Sequence, residues 1–292
     1  MYVVLGANGR AGGETARTLI GMDGPTRVVL RRPEQAGTWI GLGADVAIGC
    51  IEDVGSIAAA LSDASAAFVL SPAPVAGNPY ERADEIGSAL ARAVRQAGLP
   101  KVVALSSIGA QHSSGTGIIA TLHSLERHLA GAAPAVAFLR PGYFVETWGE
   151  VAEAAVAGSV LPSFLEPAQR IPMVSTVDVG RAAARLLVED FAGERVVELA
   201  GPQDWSANDV AAAFGRILDR TVAAGFVPVE DRAAVLARQG VPADVAQALL
   251  GMYEGLANGR VTFDGRAQRR RGSVPLLEAV ERIVRSTDGV PA

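Results

Sequence analysis

The fold is decided close to the start of the chain, where residues 2–13 read Tyr-Val-Val-Leu-Gly-Ala-Asn-Gly-Arg-Ala-Gly-Gly. The apolar residues predict a buried strand, and a G-x-x-G-x-x-G loop joins it to a predicted helix. Glycine lets the backbone turn tightly and approach an anion, and the N–H groups of the helix's first turn point at it. A turn with a purely structural role is the alternative. We predict a diphosphate-binding loop made of Gly6, Asn8, Gly9, Arg10, Ala11 and Gly12.

Length and composition describe a globular protein. The 292 residues are 49% hydrophobic and 20% charged, which suits one large α/β domain or a nucleotide domain with a small second lobe. The net charge of −5 argues against a nucleic-acid surface. No apolar run approaches the roughly 18 residues that span a bilayer, and the N-terminus does not read as a secretory signal. We expect a cytoplasmic protein with a small-molecule substrate and with neither nucleic-acid nor membrane partners.

Three scarce residue types exclude further classes. Cys50 is the only cysteine, which excludes intramolecular disulfides and multi-cysteine metal sites and fits a reducing compartment. The histidines, His112, His123 and His128, lack the spacing of a metal site, so we expect no metal. Lys101 is the only lysine and begins a predicted strand. That placement excludes a P-loop NTPase, a pyridoxal Schiff base and a Tyr-x-x-x-Lys dehydrogenase.

Apolar runs and helical patterns alternate through the first half of the chain. Short apolar runs predict strands at 2–6, 27–31, 44–50, 66–71, 101–106 and 135–139. Helices are predicted near 12–22, 54–63, 81–98 and 117–131. Because the strands lack polar alternation and are separated by helices, they predict a Rossmann-type, doubly wound parallel sheet in a domain over residues 1–145.

The second half is less regular and predicts a smaller, mixed α/β lobe over residues 146–292. Its helices are expected near 146–157, 177–189, 206–219, 230–238, 243–257 and 275–285. Its strands are expected near 171–174, 195–200 and 222–228. Because no linker separates it, we expect it to pack on the carboxyl edge of the sheet, without being an independent domain, and some of its strands could join the main sheet. We interpret the basic run 269–271 as a solvated surface loop.

The end of the second strand indicates which dinucleotide binds. NAD-selective folds carry an acidic residue there, about 20 residues past the loop, for the ribose 2′-hydroxyl. Here the position is occupied by Arg31 and Arg32, whose guanidinium groups suit a 2′-phosphate. Two surface arginines without a ligand are the alternative. We predict a preference for NADP(H).

Later strand ends supply further candidate cofactor contacts. Cys50 and Ile51 follow the third strand, where they could form walls for the adenine ring, although we favour a core role for Cys50. The fourth strand ends in Ser71 and Pro72, with Ala73 and Pro74 beyond, where the chain would pass the diphosphate and ribose. Ser106 and Ser107 end the fifth strand. These residues complete the predicted dinucleotide site on the sheet's carboxyl edge.

At this point a family resemblance becomes specific. The glycine loop, Leu-Ser-Ser-Ile-Gly at 105–109 and Phe-Leu-Arg-Pro-Gly-Tyr-Phe at 138–144 together resemble the NmrA-like, atypical branch of the short-chain dehydrogenase/reductase superfamily. The stretches 240–259 and 274–276 resemble the C-terminal lobe of that branch's quinone reductases and triphenylmethane-dye reductases. The resemblance covers essentially the whole chain. It implies NAD(P)H binding, with functions ranging from NADPH-dependent reductases to regulators that bind dinucleotide without turnover.

The chain departs from the wider superfamily on the helix after the fifth strand. There the superfamily carries Tyr-x-x-x-Lys, in which lysine lowers the tyrosine's pKa and tyrosine exchanges the proton. Residues 117–131 contain neither tyrosine nor lysine. Aligning Glu126 with the acid typical of this helix places Leu122 at the lysine position and His123 one residue away. Alcohol oxidation and epimerisation by that dyad are therefore not expected. Hydride transfer to a quinone or a cationic dye mainly requires that the acceptor be positioned against the nicotinamide. This reaction is therefore possible without the dyad.

Aromatic residues after the sixth strand are the candidate pocket. Tyr143 and Phe144 could contact the cofactor, while Phe144, Trp148 and Tyr253 could line a substrate cavity; a core role is the alternative. His123 and Tyr143 are the candidate proton donors, and a solvated histidine is the alternative for the former. Two functions follow. The favoured one is an NADPH-dependent reductase of quinone-like or other conjugated electrophiles. The alternative is an NADP(H)-sensing regulator, acting through a homodimer or a partner protein.

Overall fold

The computed structural model describes residues 1–72 and 76–287 and is built on an eight-stranded parallel sheet. The strands in this sheet are β1 (Tyr2–Leu5), β2 (Thr26–Leu30), β3 (Asp45–Ile48), β4 (Ala66–Val69), β5 (Lys101–Leu105), β6 (Ala135–Pro141), β10 (Gly193–Ala200) and β13 (Gln268–Arg271). Their spatial order is β13-β10-β6-β5-β4-β1-β2-β3, with every neighbouring pair parallel. The reversal of order between β1 and β4 is the doubly wound arrangement that the sequence predicts, and the fold class is confirmed.

Small sheets and helices complete the architecture. The short strands are β7 (Tyr143–Phe144), β8 (Val160–Ser163), β9 (Ile171–Val174), β11 (Asp204–Trp205) and β12 (Ala223–Phe226). The helices are α1 (Arg10–Gly21), α2 (Ala36–Gly41), α3 (Val54–Ala60), α4 (Pro79–Ala97), α5 (Ala120–Leu129), α6 (Ala152–Gly158), α7 (Thr176–Val188), α8 (Ala207–Ile217), α9 (Val229–Arg238), α10 (Ala243–Ala257) and α11 (Leu276–Thr287). Short 3-10 segments cover Pro33–Gln35, Gly117–Ile119 and Val145–Val151. No helix in the described ranges has the length and apolarity that crossing a membrane requires.

Three apolar cores explain why these segments fold together. Helices α3, α4 and α5 cover one face of the sheet, while α1 and α7 cover the other. Strands buried on both faces are apolar at nearly every position, as β4 is throughout. A third core lies beneath the second half and includes Ile108 and Ile119 from the first half. Since β10 and β13 also extend the main sheet, the described residues of the second half share both a core and a sheet with those of the first half.

The interpretation of residues 269–271 as a solvated loop is wrong. They belong to β13, the edge strand that pairs with β10. Arg270 forms an ion pair with Glu189 at 2.9 Å, and Arg269 lies 3.6 Å from the fully buried Glu198. Acidic partners that lie some 70 to 80 residues away in the sequence stabilise this arginine-rich strand.

Candidate functional site

The glycine loop forms a tight turn between β1 and α1. Gly6 has a φ of +69°, a left-handed conformation that favours glycine. At Gly12 a Cβ atom would lie 2.3 Å from the Gly6 carbonyl oxygen, so only glycine lets α1 approach the loop this closely. Gly9 precedes the helix, and no side chain in the described structure caps the first turn of α1. Its N–H groups are therefore available to an anion.

The loop is fastened to the segment that follows β2. The Asn8 amide nitrogen donates to the Gln35 side-chain oxygen at 2.8 Å, and the Trp39 indole donates to the Asn8 oxygen at 2.9 Å. Trp39 is buried, which fixes the position of α2. Arg31 and Arg32 lie on the same segment, are exposed, and have no ion-pair partner among the described residues. The structure thus brings two uncompensated cations to the carboxyl end of β2, beside the glycine loop.

The third and fourth strand ends differ in part from expectation. Cys50 is exposed, so the favoured core role is wrong. The cause is that β3 is the outermost strand and its end is left uncovered. The Cys50 thiol donates to Glu52 at 2.6 Å, and this bond, together with Arg82, holds the pKa of Glu52 below its usual range. Ile51 is half-buried.

Ser71 lines a cavity of about 780 Å³ at the carboxyl ends of β5 and β6, while Pro72 is exposed. Ala73 and Pro74 lie outside the described residues.

Beneath the fifth strand end, Ser106 is tied into a buried charge network. Its hydroxyl donates to Glu126 at 2.5 Å, and the Arg140 guanidinium donates to the same carboxylate at 2.8 and 2.5 Å. Burial alone would lower the pKa of Arg140, but the hydrogen bonds and charge of Glu126 raise it. The Arg140–Glu126 ion pair joins β6 to α5. The Ser107 hydroxyl donates to the carbonyl of the next residue, Ile108, at 3.0 Å.

A cavity of about 780 Å³ opens at the carboxyl ends of β5 and β6. Its aromatic wall consists of Tyr143, Phe144, Trp148, Phe164 and Tyr253. Aliphatic side chains from α5, α9 and α10 complete it, and apolar surface predominates in the lining. This composition is typical of a pocket that takes a planar apolar ligand. The structure thus brings the predicted pocket aromatics Phe144, Trp148 and Tyr253 together.

Two tyrosines form a hydrogen-bonded pair inside the cavity. The Tyr143 and Tyr253 hydroxyl oxygens lie 3.1 Å apart. The rings of Phe164 and Tyr253 make a T-shaped contact with their centroids 5.0 Å apart. Burial raises the pKa of Tyr143 well above its ordinary value, and burial likewise raises the pKa of Tyr253. Both phenols therefore keep their protons at neutral pH.

His123 is directed away from this pair. Its Nδ1 donates to the Ala110 carbonyl at 2.8 Å, since a carbonyl can only accept. The cavity wall, as far as the structure describes it, includes the neighbouring Leu122 but not His123. The residue aligned with the lysine of the usual dyad thus contributes apolar surface.

One ion pair links the glycine loop to the rim of the cavity. Arg10, the first residue of α1, lies 3.4 Å from Glu150, which lines the cavity mouth. Both side chains are largely exposed, so the pair contributes little to stability. Its position shows that the loop and the cavity adjoin.

Comparison with known proteins places this geometry in a family. Residues 2–270 match the NmrA-like family. The chain belongs to the NmrA-like family. NAD(P)H azoreductase of Xenophilus azovorans is 25% identical to this NmrA-like chain over 255 residues, which cover 87% of the chain and 86% of the azoreductase.

Two solved structures share the fold. The NADPH-dependent quinone oxidoreductase QOR2 of Escherichia coli, in complex with NADPH, has a TM-score of 0.80 and 23% identity, covering 97% of this chain and 100% of the other. Triphenylmethane reductase of Citrobacter sp., in complex with NADP(H), has a TM-score of 0.79 and 18% identity, with the same coverage. The expected family is confirmed, and the chain is distantly homologous to an NAD(P)H azoreductase and to a quinone oxidoreductase.

Sequence reasoning missed several residues of the site. Gln35 and Trp39 fasten the loop, and Phe164 completes the aromatic wall. Trp39 sits in a short helix that the sequence pattern did not indicate. Phe164 follows β8, a strand that pairs with the distant β12 in a two-stranded sheet. A lone aromatic residue after an unpredicted strand gives no local signal.

Proposed function

We propose that this NmrA-like chain is an NADPH-dependent reductase that transfers hydride to a quinone-like or otherwise conjugated electrophile. The observation that carries the proposal is the apolar cavity beside the glycine loop, with two protonated tyrosines in its wall. Ligands of open α/β sheets bind at this carboxyl edge. The azoreductase and quinone reductase among the relatives support the same class of acceptor.

The glycine loop fits a dinucleotide. The close packing of α1 on the loop at Gly12 and the uncapped first turn of α1 suit a diphosphate. Arg31 and Arg32 would hold the 2′-phosphate that distinguishes NADPH from NADH. When bound, the nicotinamide supplies the hydride. Tighter binding of NADPH than of NADH in calorimetry is the expected result, and equal affinities would remove the assigned role of the two arginines.

The chain itself supplies positioning and a proton. A quinone-like acceptor takes two electrons with the hydride and then needs a proton to become the hydroquinone. We assign Tyr143 and Tyr253 as the groups that hold this proton, because burial keeps both phenols neutral. The proton is then replaced from water. Phe144 and Trp148 would hold the acceptor's plane and exclude water from the reacting atoms.

The test is NADPH oxidation against a panel containing a benzoquinone, an azo dye and a cationic triphenylmethane dye. Turnover with at least one acceptor is expected. Tyr253→Phe should lower kcat while leaving NADPH affinity intact. The matched control is Tyr2→Phe, which makes the same change in β1, outside the cavity wall. Micromolar NADPH binding without turnover of any acceptor would overturn the reductase and favour the dinucleotide-sensing regulator.

A further inference from the structure

A second cavity, of about 760 Å³, adjoins the first. It lies between α9, α10, β12 and residues 164–169, and Phe164 and Leu165 belong to the walls of both cavities. Helix α9 serves both cavities along one face. Its Val229 and Arg232 line the second, whereas Leu236, one turn further on, lines the first. The proposed reduction in the first cavity gives the second no role.

The second cavity contains a buried cation without a counter-ion. Arg232 is only 9% exposed. Its Nε donates to the Val227 carbonyl at 3.1 Å, and its guanidinium carbon lies 5.8 Å from the Phe164 ring centroid and 5.3 Å from that of Phe226. No carboxylate of the described residues lies within the 4.0 Å of an ion pair, and its two terminal nitrogens make no hydrogen bond there. The two terminal nitrogens are thus free donors in the lining of the cavity, and two oxygens of one anion can accept from them.

The surroundings of Arg232 select the kind of anion. Phe164 and Phe226 flank the guanidinium, Tyr80 also lines the cavity, and α10 contributes an aliphatic strip of Ala248, Leu250 and Ala257 beside its polar residues. Three carboxylates, those of Glu166, Asp244 and Glu254, also line the cavity. These acids are exposed, so solvent and salt screen them, and they disfavour a ligand with several negative charges.

We propose that this second cavity binds an aromatic monoanion, an aryl carboxylate or aryl sulfonate, with its acid group on the guanidinium of Arg232. The planar guanidinium donates two parallel N–H bonds to two oxygens of such a group. The aryl ring packs between the aromatic side chains and the aliphatic wall. Binding requires neither cofactor nor turnover, so the proposal stands independently of the reductase function.

The experiment is calorimetric titration of the full-length protein with naphthalene-2-sulfonate and with its neutral analogue naphthalene-2-sulfonamide. The two probes have the same ring and nearly the same shape, so their difference reports the charge. The sulfonate is expected to bind the wild-type protein at least tenfold more tightly than the sulfonamide. Equal affinities would overturn the proposal without any variant being needed.

Two arginine variants locate the site. Arg232→Met removes the charge, keeps apolar bulk and should abolish the preference for the sulfonate. Arg238→Met makes the same change on an exposed residue at the end of α9 and should retain it. If the Met variant at 232 melts early, Arg232→Lys keeps the charge but loses the two-pronged contact, and the preference should fall several-fold. If the folded variants at 232 keep the full preference for the sulfonate over the sulfonamide, the proposed site is refuted. The NADPH affinity of the same proteins tests the first cavity separately.

Discussion

The substitution Gly12→Ala is the sharpest test of how the loop and α1 are joined. A Cβ atom at this position would lie 2.3 Å from the Gly6 carbonyl oxygen, against an ordinary contact of 3.4 Å or more. Helix α1 must therefore retreat by roughly 1 Å, or the loop must open. Overpacking of this kind costs about 1–3 kcal/mol of unfolding free energy. A retreat of α1 would also move the N–H groups of its first turn away from the proposed diphosphate. We therefore expect NADPH affinity to fall at least tenfold.

Gly21→Ala is the matched control, because Gly21 ends the same helix and has no atom within 4 Å of the added methyl group. That variant should gain about 0.4–1 kcal/mol through reduced entropy of the unfolded chain. Urea unfolding followed by circular dichroism measures both free energies, and calorimetry measures NADPH binding. A Gly12→Ala protein with wild-type stability and wild-type NADPH affinity would refute the close approach of loop and helix.

Three further predictions concern charge and protonation. Replacing Arg31 and Arg32 with alanine should weaken NADPH binding about tenfold or more while leaving NADH binding unchanged, since charged hydrogen bonds contribute about 1.5–3 kcal/mol; calorimetry with both cofactors checks this, and equal losses would contradict it. Arg140→Met strands a buried carboxylate and should cost about 3–5 kcal/mol in urea unfolding, whereas Arg282→Met, in an exposed pair, should cost under about 0.5 kcal/mol. Burial raises the pKa of Tyr253 above the ordinary value of a tyrosine, so the unfolded chain loses that proton first. Stability should therefore decline as pH rises past about 10, and Tyr253→Phe should lessen the decline; an identical pH dependence in both proteins would count against the burial argument.

The sequence predicts the sheet well because its strands are buried on both faces. Strands such as β4 are continuous apolar runs, and the glycine motif after β1 lies within seven consecutive residues. The predictions are wrong where contacts between distant segments determine the structure. The arginines at 269–271 have the pattern of a solvated loop. Pairing with β10 and ion pairs with Glu189 and Glu198 hold them in a strand instead. Cys50 looks like a core residue, but β3 is the edge strand and leaves it exposed.

The site divides in the same way. The sequence places Tyr143, Phe144 and Trp148 together because they are close along the chain, and their convergence needs only the strand end. Phe164 and Arg232 reach the cavities through packing between segments that are nearly 70 residues apart. His123 could be placed on a helix, but the direction of its side chain follows from a hydrogen bond to the loop carbonyl of Ala110. Periodicity assigns residues to elements, and only packing decides what the side chains meet.

The bonds from Asn8 to Gln35 and Trp39 make the glycine loop and the arginine segment one rigid unit. Changes of cofactor preference are therefore separable from changes of cofactor affinity. Exchange of Arg31 and Arg32 for acidic residues would leave those hydrogen bonds and the loop untouched. Selectivity for NADH could therefore evolve or be engineered at these two positions without a change in the glycine loop. Loss of Asn8 would instead loosen both halves at once and weaken the binding of either dinucleotide.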